Sequence, residues 1–150
     1  SNLVCLELDE KVGSFILDKE ITYTRYADDL TFSSNEDLTK YISDLKNIII
    51  EESFKLNEKK IRLQKDNIRQ IVTGLVVNSQ VNVPRQYYRS LKQEIYYCKK
   101  YGVYSHMKEK KIHYSNYKYH LHGKALYIKM VNPAKGEKII SELDSIDWQY

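Results

Sequence analysis

Two adjacent carboxylates, Asp28 and Asp29, are the side chains of this sequence best suited to chemistry. They follow Tyr26 and Ala27 between two β-rich runs, so the sequence predicts them at the tip of a tight hairpin. Like charges this close repel each other, and a divalent cation relieves that repulsion. Hard oxygen ligands suit Mg²⁺, and a pair of such ions can activate a hydroxyl and stabilise a leaving pyrophosphate. The alternative is an ordinary Asp-Asp turn between two strands.

The distribution of charge points to a polyanionic partner. The net charge is +4, but residues 1–58 carry 6 basic and 13 acidic side chains, whereas residues 59–136 carry 17 basic and 3 acidic ones. The basic block also contains most of the 14 tyrosines. Basic groups neutralise phosphates and aromatic rings stack on bases, a combination typical of nucleic-acid grooves. The alternative is a solvated basic face whose tyrosines lie half in the core.

Several other classes of protein are not expected. No apolar run approaches the roughly 20 residues that span a bilayer, so no membrane partner is predicted. Cys5 and Cys98 fall on apolar helical faces and are expected in the core, in a reducing cytoplasm. The four histidines lack the spacing of a zinc site, and His122-Gly123-Lys124 lacks the glycine pattern of a phosphate loop. Trp148 is expected to anchor the last helix by packing.

Hydrophobic periodicity and turn residues predict the elements that must position these side chains. The first half is predicted to contain a helix at 2–17, a hairpin of strands 21–26 and 30–33, a helix at about 38–54 and a short strand at 61–64. Strands at 68–77 and 81–83 follow, joined by a turn at 78–80. The rest is predicted to be a helix from Pro84 to about Tyr101 that Gly102 ends, a loop at 103–116, a helix around 121–130, a break at Asn132-Pro133 and a last helix at 134–146.

Several segments in the expected order resemble one family. Residues 21–33, Ile-Thr-Tyr-Thr-Arg-Tyr-Ala-Asp-Asp-Leu-Thr-Phe-Ser, resemble the palm hairpin of reverse transcriptases in the Tyr-x-Asp-Asp form of bacterial enzymes. Residues 71–78 match the Val-Thr-Gly signature of retron reverse transcriptases. Further segments resemble the same family: residues 1–4 the helix before the palm hairpin, 55–60 the segment after the palm helix, and 83–85, 121–124 and 131–133 the thumb. The match covers nearly the whole chain.

The resemblance implies an α+β fold in two parts. Residues 1–82 would be the C-terminal half of a reverse-transcriptase palm, with the hairpin and short strands packed on helices, and residues 83–150 an α-helical thumb. Fingers and the first half of the palm, which carry a further catalytic aspartate, are absent from this sequence. Glu7, Asp9 and Glu10 are expected to be solvated on a helix and do not replace it. We therefore expect a portion of a larger polymerase, in agreement with a start at Ser1 rather than methionine.

The resemblance also implies roles for individual residues. Asp28 and Asp29 would be the catalytic residues and ligands of two Mg²⁺, with Asp29 the lesser partner, and Tyr26 and Ala27 would line the floor beneath the primer terminus. A further set would contact the primer end, the template or the RNA: Val72, Thr73, Gly74, Arg85, Arg89, Lys92, Lys99 and Lys100. Gly74 would either let the backbone approach a phosphate closely or form a bulge in a strand.

The implied function is that of a retron RNA-directed DNA polymerase, which makes DNA on a structured noncoding RNA in the bacterial cytoplasm. Its partners would be that RNA and its RNA–DNA product, deoxynucleoside triphosphates, the missing N-terminal half of the polymerase and an effector protein of anti-phage defence. Two alternatives stay open. One is a non-catalytic RNA-binding module that keeps the hairpin as a scaffold. The other is a group II intron-like maturase, in which Val72-Thr73-Gly74 is not expected.

Overall fold

The computed structural model describes residues 2–113 and 115–148. It divides the chain into two compact units, Ser1–Lys65 and Asp66–Tyr150. Tyr114 and the last two residues of the predicted thumb lie outside the described residues. The mixture of helices and short strands agrees with the predicted α+β class. Within the described part of the chain, no helix combines the length and the apolar character needed to cross a bilayer.

The first unit consists of two helices and a hairpin. Helix α1 (Leu6–Ile16) follows a 3-10 turn, strands β1 (Thr22–Tyr26) and β2 (Asp29–Ser33) form an antiparallel pair, and helix α2 (Ile42–Glu51) comes next. The side chain of Asp37 caps the 3-10 turn before α2 by accepting a hydrogen bond from the Thr39 N–H at 3.0 Å. The predicted order of helix, hairpin and helix is confirmed.

The core of the first unit lies between the helices and one face of the hairpin. Leu8 and Val12 of α1 are buried with Ile49 of α2, and their four-residue spacing places Leu8 and Val12 on the same face of α1. Tyr23, Leu30 and Phe32 of the hairpin pack against this cluster. Because side chains alternate along a strand, the other face of the hairpin carries polar side chains such as Thr22 and Thr24.

The second unit is mostly helical. It contains strands β3 (Ile71–Val72) and β4 (Leu75–Val76) and helices α3 (Arg85–Tyr101), α4 (Val103–Glu109), α5 (Tyr117–Val131) and α6 (Pro133–Asp144). Gly102, with φ of 83°, ends α3 as predicted. Asn132 and Pro133 separate α5 from α6, because the Asn132 side chain accepts a hydrogen bond from the Lys135 N–H and so starts a new helix.

Three predicted elements are wrong. No strand forms at 61–64, where Ile61 and Leu63 stay about two-fifths exposed and gain little by pairing. The strand predicted at 68–77 contains instead the short β3–β4 hairpin, with a turn at Thr73-Gly74. The turn predicted at 78–80 also forms, because Val76 and Asn82 pair across it in an antiparallel bridge. The loop predicted at 103–116 contains α4, a mostly polar helix that buries only Val103 and His106.

Four helices surround the core of the second unit. The fully buried side chains include Leu91 and Ile95 of α3, Leu121 and Ile128 of α5, and Ile139 and Leu143 of α6. Both cysteines are buried as predicted, and burial raises the pKa of the Cys98 thiol to about 11. Trp148 packs against this core, and its indole N–H donates to the Leu143 carbonyl at 3.2 Å.

A buried polar cluster joins α3, α4 and α5. The Tyr117 hydroxyl donates to the carboxylate of Glu94 at 2.5 Å, and Nε2 of His106 lies 2.5 Å from the same oxygen. Burial pushes the pKa of Glu94 upward, but the hydrogen bonds from Tyr117 and His106 outweigh it and hold that pKa below its ordinary value. The cluster therefore satisfies the polar groups that α4 brings into the interior.

Candidate functional site

The first candidate site is the tip of the β1–β2 hairpin. Tyr26 pairs with Asp29 across the strands, so the turn consists of Ala27 and Asp28 alone. Asp29 is thus the first residue of β2, whereas the sequence placed it in the turn. Ala27 has φ of 54°, in the left-handed region, which is what reverses the chain within two residues. All four side chains of the predicted motif are exposed, that of Tyr26 by 71%.

The register of the hairpin sets the direction in which these groups are presented. Arg25 pairs with Leu30, and Tyr26 with Asp29. Neighbouring pairs lie on opposite faces of a two-stranded sheet, so Tyr26 and Asp29 lie on the face opposite Leu30, which packs on the core. The carboxylate of Asp29 and the ring of Tyr26 therefore share the open face of the hairpin, beside the turn that carries Asp28.

A hydrogen-bonded network lies beneath the tip. The guanidinium of Arg25 forms an ion pair with Asp9 of α1, with 2.6 Å between Nη2 and Oδ2, and Nη1 donates to the Ala27 carbonyl at 3.0 Å. The Tyr23 hydroxyl donates to Asp9 at 2.8 Å. The expectation that Asp9 is merely solvated is wrong, because its partner, 16 residues away, is brought to it by tertiary packing.

Electrostatics keep this network in one protonation state near neutral pH. The hydrogen bond from Arg25 holds the pKa of Asp9 below its ordinary value. Burial, together with the hydrogen bond to Asp9, raises the pKa of the Tyr23 hydroxyl. Asp9 is therefore a charged acceptor and Tyr23 a neutral donor, and neither is free to compete with Asp28 for a cation.

The donor chemistry of the tip fits a hard cation. Asp28 and Asp29 offer carboxylate oxygens at an exposed turn, which are ligands suited to Mg²⁺. Over residues 2–113 and 115–148, no group of three or more His, Cys, Asp or Glu side chains converges as a ligand cluster. The tip itself thus contributes a pair of carboxylates.

The second candidate site is the turn of the β3–β4 hairpin in the second unit. Thr73 has φ of 46° and Gly74 φ of 84°, as in the type I′ turn that joins strands by two residues. Gly74 is therefore a turn residue rather than a bulge, and a side-chain carbon added there would meet nothing within 4 Å. Val72 lies at the end of β3, half-buried, while Thr73 and Gly74 are exposed.

Asn78 stabilises this hairpin by hydrogen bonds to the backbone before β3, a role that was not predicted from the sequence. Its side-chain oxygen accepts from the Gln70 N–H at 2.9 Å, and its amide donates to the Ile68 carbonyl at 2.9 Å. Asparagine often bonds to nearby backbone in turns, so its place in the motif was a usable signal. These bonds fix the segment leading into β3 and thereby the turn at Thr73-Gly74.

The predicted basic residues of α3 come together on one face of that helix. At 3.6 residues per turn, they fall within an arc about 100° wide that borders the buried face. These residues are Arg85, Arg89, Lys92, Lys99 and Lys100. Four of the five are exposed, whereas Lys92 is half-buried and lies 3.6 Å from Glu142 of α6. We call this set the basic face of α3.

Two exposed tyrosines lie close to Lys100 of the basic face, and they are not among the residues predicted from the sequence. Tyr96 lies within the same arc, whereas Tyr101 lies about 100° outside the arc, next to Lys100 in the sequence. Tyr96 and Tyr101 are 53% and 56% exposed. Nζ of Lys100 lies 5.5 Å from the centroid of the Tyr96 ring and 5.1 Å from that of the Tyr101 ring. Their spacing around Lys100, at four residues before and one after, was the available signal. Exposed rings beside basic groups can stack on bases.

Comparison with known proteins finds several reverse transcriptases that are similar to this chain. No family model matches the chain. The chain is 30% identical over 165 aligned positions to the Retron Mx162 reverse transcriptase of Myxococcus xanthus, covering 98% of this chain and 32% of that protein. It is 31% identical over 140 positions to the Retron Mx65 reverse transcriptase of the same species, covering 92% of this chain and 30% of the relative.

A third relative comes from another organism. The Retron Ec86 reverse transcriptase of Escherichia coli is 32% identical over 113 positions, which cover 72% of this chain and 35% of that protein. The chain spans about a third of the length of the curated relatives that it matches. The family suggested by the motifs is thereby confirmed.

Proposed function

We propose that this chain, which belongs to the retron reverse transcriptase family, is the portion of an RNA-directed DNA polymerase that holds the metal-binding hairpin and a nucleic-acid-binding helix. The observation that carries the proposal is the exposed pair Asp28 and Asp29 on the open side of an anchored hairpin. Since the chain spans about a third of its relatives, the activity itself belongs to the larger protein.

In this proposal Asp28 holds Mg²⁺ and Asp29 is the lesser ligand. When bound, two such ions supply activation of the primer hydroxyl and stabilisation of the pyrophosphate that leaves the incoming deoxynucleoside triphosphate. Tyr26 and Ala27 flank the carboxylates and form the floor beneath the primer terminus. A further aspartate would come from the part of the polymerase that this sequence does not contain.

The second unit would bind the nucleic acid. The basic face of α3 presents its charges along about 22 Å of helix, taking 1.5 Å per residue from Arg85 to Lys100. Double-stranded RNA is recognised largely through its backbone and 2′-hydroxyls, which suits a charged helix. The exposed turn at Thr73-Gly74 would contact the primer end or the RNA. The family further suggests a structured noncoding RNA as template, in the bacterial cytoplasm, and an effector protein of anti-phage defence.

A non-catalytic RNA-binding module is the second candidate, because the hairpin tip contributes only two carboxylates among the described residues. The two candidates differ in what Asp28 does. An Asp28→Asn change in the full-length protein should lower primer extension by at least about 100-fold, the scale on which loss of one charge-stabilising group acts. RNA affinity should stay within about twofold, since an aspartate supplies no positive charge to the phosphates.

Asp18→Asn is the matched control, because Asp18 is an exposed aspartate of the same unit whose partner is the neighbouring Lys19. We expect extension by that variant to equal that of the parent. Undiminished extension by Asp28→Asn would overturn the metal assignment and favour the binding module. A parallel loss of RNA affinity would show instead that the variant is misfolded.

A further inference from the structure

Arg25 is a strongly basic residue that lies three and four positions before the two tip carboxylates, yet its charge is directed away from them. Its side chain is only 9% exposed and lies on the core-facing side of the hairpin. Asp28 lies three residues further along, in the turn. Arg25 therefore does not neutralise the tip, and the proposed function leaves it without a role.

The guanidinium uses separate N–H groups for two tasks. Nε lies 2.9 Å from Oδ1 of Asp9 and Nη2 lies 2.6 Å from Oδ2, which is the paired geometry that arginine forms with a carboxylate. Nη1 donates to the carbonyl of Ala27 at 3.0 Å and lies 3.3 Å from the side-chain oxygen of Asn2. A single planar group thus connects helix α1 to the turn.

The carbonyl that Arg25 holds is the one that precedes Asp28. Ala27 has φ of 54°, which residues other than glycine adopt reluctantly, so the turn needs an external contact to keep this conformation. The Ala27 carbonyl belongs to the peptide plane that continues to the Asp28 nitrogen. Fixing that plane restricts the direction in which the Asp28 side chain leaves the backbone.

The ion pair with Asp9 also favours a role for Arg25 in orienting Asp28. Asp9 compensates the guanidinium, so the negative charge of Asp28 and Asp29 remains available to a cation. The Tyr23 hydroxyl donates to Asp9 at 2.8 Å and fixes the carboxylate from a second side. The arrangement resembles the outer contacts that orient metal ligands in other proteins, where their removal weakens metal binding or activity.

We propose that Arg25, anchored by Asp9, is a positioning residue that holds the Ala27–Asp28 peptide and so presents Asp28 to Mg²⁺. The inference rests on the proposed function, because it assigns Arg25 to the cation site of that function. The inference goes beyond the proposed function because it assigns roles to Arg25 and Asp9, which would contact neither the cation nor the substrate. Arg25 acts through the backbone, and Asp9 acts through Arg25.

The test compares three variants of the full-length protein. Arg25→Lys keeps a positive charge opposite Asp9, but a single ammonium cannot reproduce the planar fork and the bond to the Ala27 carbonyl together. Arg25→Gln removes the charge as well. Lys11→Gln is the matched control, because it breaks the ion pair of α1 with Glu52, at the end of α2, and leaves the hairpin contacts intact.

Two readouts separate positioning from stability. The first is the Mg²⁺ concentration that gives half-maximal primer extension, and the second is Mn²⁺ binding without catalysis, followed by the electron paramagnetic resonance of the free ion. We expect Arg25→Lys and Arg25→Gln to weaken both about 10-fold. Lys11→Gln should leave both unchanged, even where its thermal unfolding midpoint falls as much as that of Arg25→Lys.

Unchanged metal dependence in both Arg25 variants would overturn the inference, and so would an equal shift in Lys11→Gln. If Asp28→Asn abolishes extension while the Arg25 variants bind Mn²⁺ as the parent does, the positioning role fails and the proposed function stands. If Asp28→Asn extends primers normally, both fail together.

Discussion

Thr73 adopts a backbone conformation that its residue type disfavours. Its φ of 46° lies in the left-handed region, where a β-branched side chain is an outlier, and the next residue, Gly74, has φ of 84°. Type I′ turns favour Asn-Gly at these two positions, so Asn at the first position would form the same turn with less strain. Strain that persists at an exposed turn suggests a function for the residue that bears it.

We expect Thr73→Asn to stabilise the second unit by about 1 kcal/mol, the lower end of the cost of a strained residue, as measured by urea unfolding. If Thr73 contacts the primer or the RNA, primer extension by the full-length protein should fall at the same time. Ser53→Asn is the control, because Ser53 also has a positive φ, of 63°, but lies after α2 in the first unit. Lower stability of Thr73→Asn would contradict the relief of strain.

At the scale of elements, helices α5 and α6 approach each other closely at a glycine. A side-chain carbon built on Gly136 would lie 2.2 Å from Cα of Lys129, which belongs to the backbone of α5. Gly123 on α5 has open space around the same position. The first glycine is therefore required by packing, while the second only weakens its helix.

Gly136→Ala should destabilise the second unit by about 1–3 kcal/mol, because α6 has to move away from α5 to accommodate the methyl group. Gly123→Ala should stabilise it by nearly 1 kcal/mol, since alanine is the better helix former. Urea unfolding of the two variants checks both signs. An unchanged free energy of unfolding in Gly136→Ala would contradict this prediction, because it would mean that α5 leaves room for the added methyl group despite the 2.2 Å approach to Lys129.

At the scale of the whole molecule, acidic and basic regions follow the two units only roughly. The basic block starts at Lys59, near the end of the first unit, and continues through the second to Gly136. The structure groups part of that charge on the basic face of α3, where Lys92 already has Glu142 as a neighbour. Total charge therefore overstates the number of cations that are available to phosphates.

Salt dependence of RNA binding measures that number. RNA affinity falls as salt concentration rises, and each phosphate contact makes the plot of log affinity against log salt steeper by about 0.7–0.9. If Arg89 makes such a contact, Arg89→Gln should make the plot less steep by that amount. Lys92→Gln should show a smaller change because of Glu142. Lys138→Gln, an exposed residue of α6 outside the basic block, is the control and should leave the slope unchanged. A slope that Arg89→Gln does not alter would exclude that residue as a phosphate contact.

Local patterns along the chain are sufficient to predict the types of most elements and the family. Helical spacing of Leu8 and Val12 and alternation through Tyr23 identify α1 and β1, because these periods are local properties of the chain. The Tyr26–Asp29 motif predicted the hairpin tip, and the motif at Val72–Gly74 predicted the retron family to which the similar proteins belong. Short motifs are legible in sequence because their chemistry depends on residues adjacent in the chain.

Which distant residues meet depends on tertiary packing alone. Asp9 looked solvated on its helix until packing of the hairpin brought Arg25 to it across 16 residues. His106 lay in a segment whose composition predicts a loop, and it becomes buried only because α3 and α5 supply Glu94 and Tyr117 as polar partners. Such contacts join residues far apart in sequence, and local periodicity carries no information about the partner.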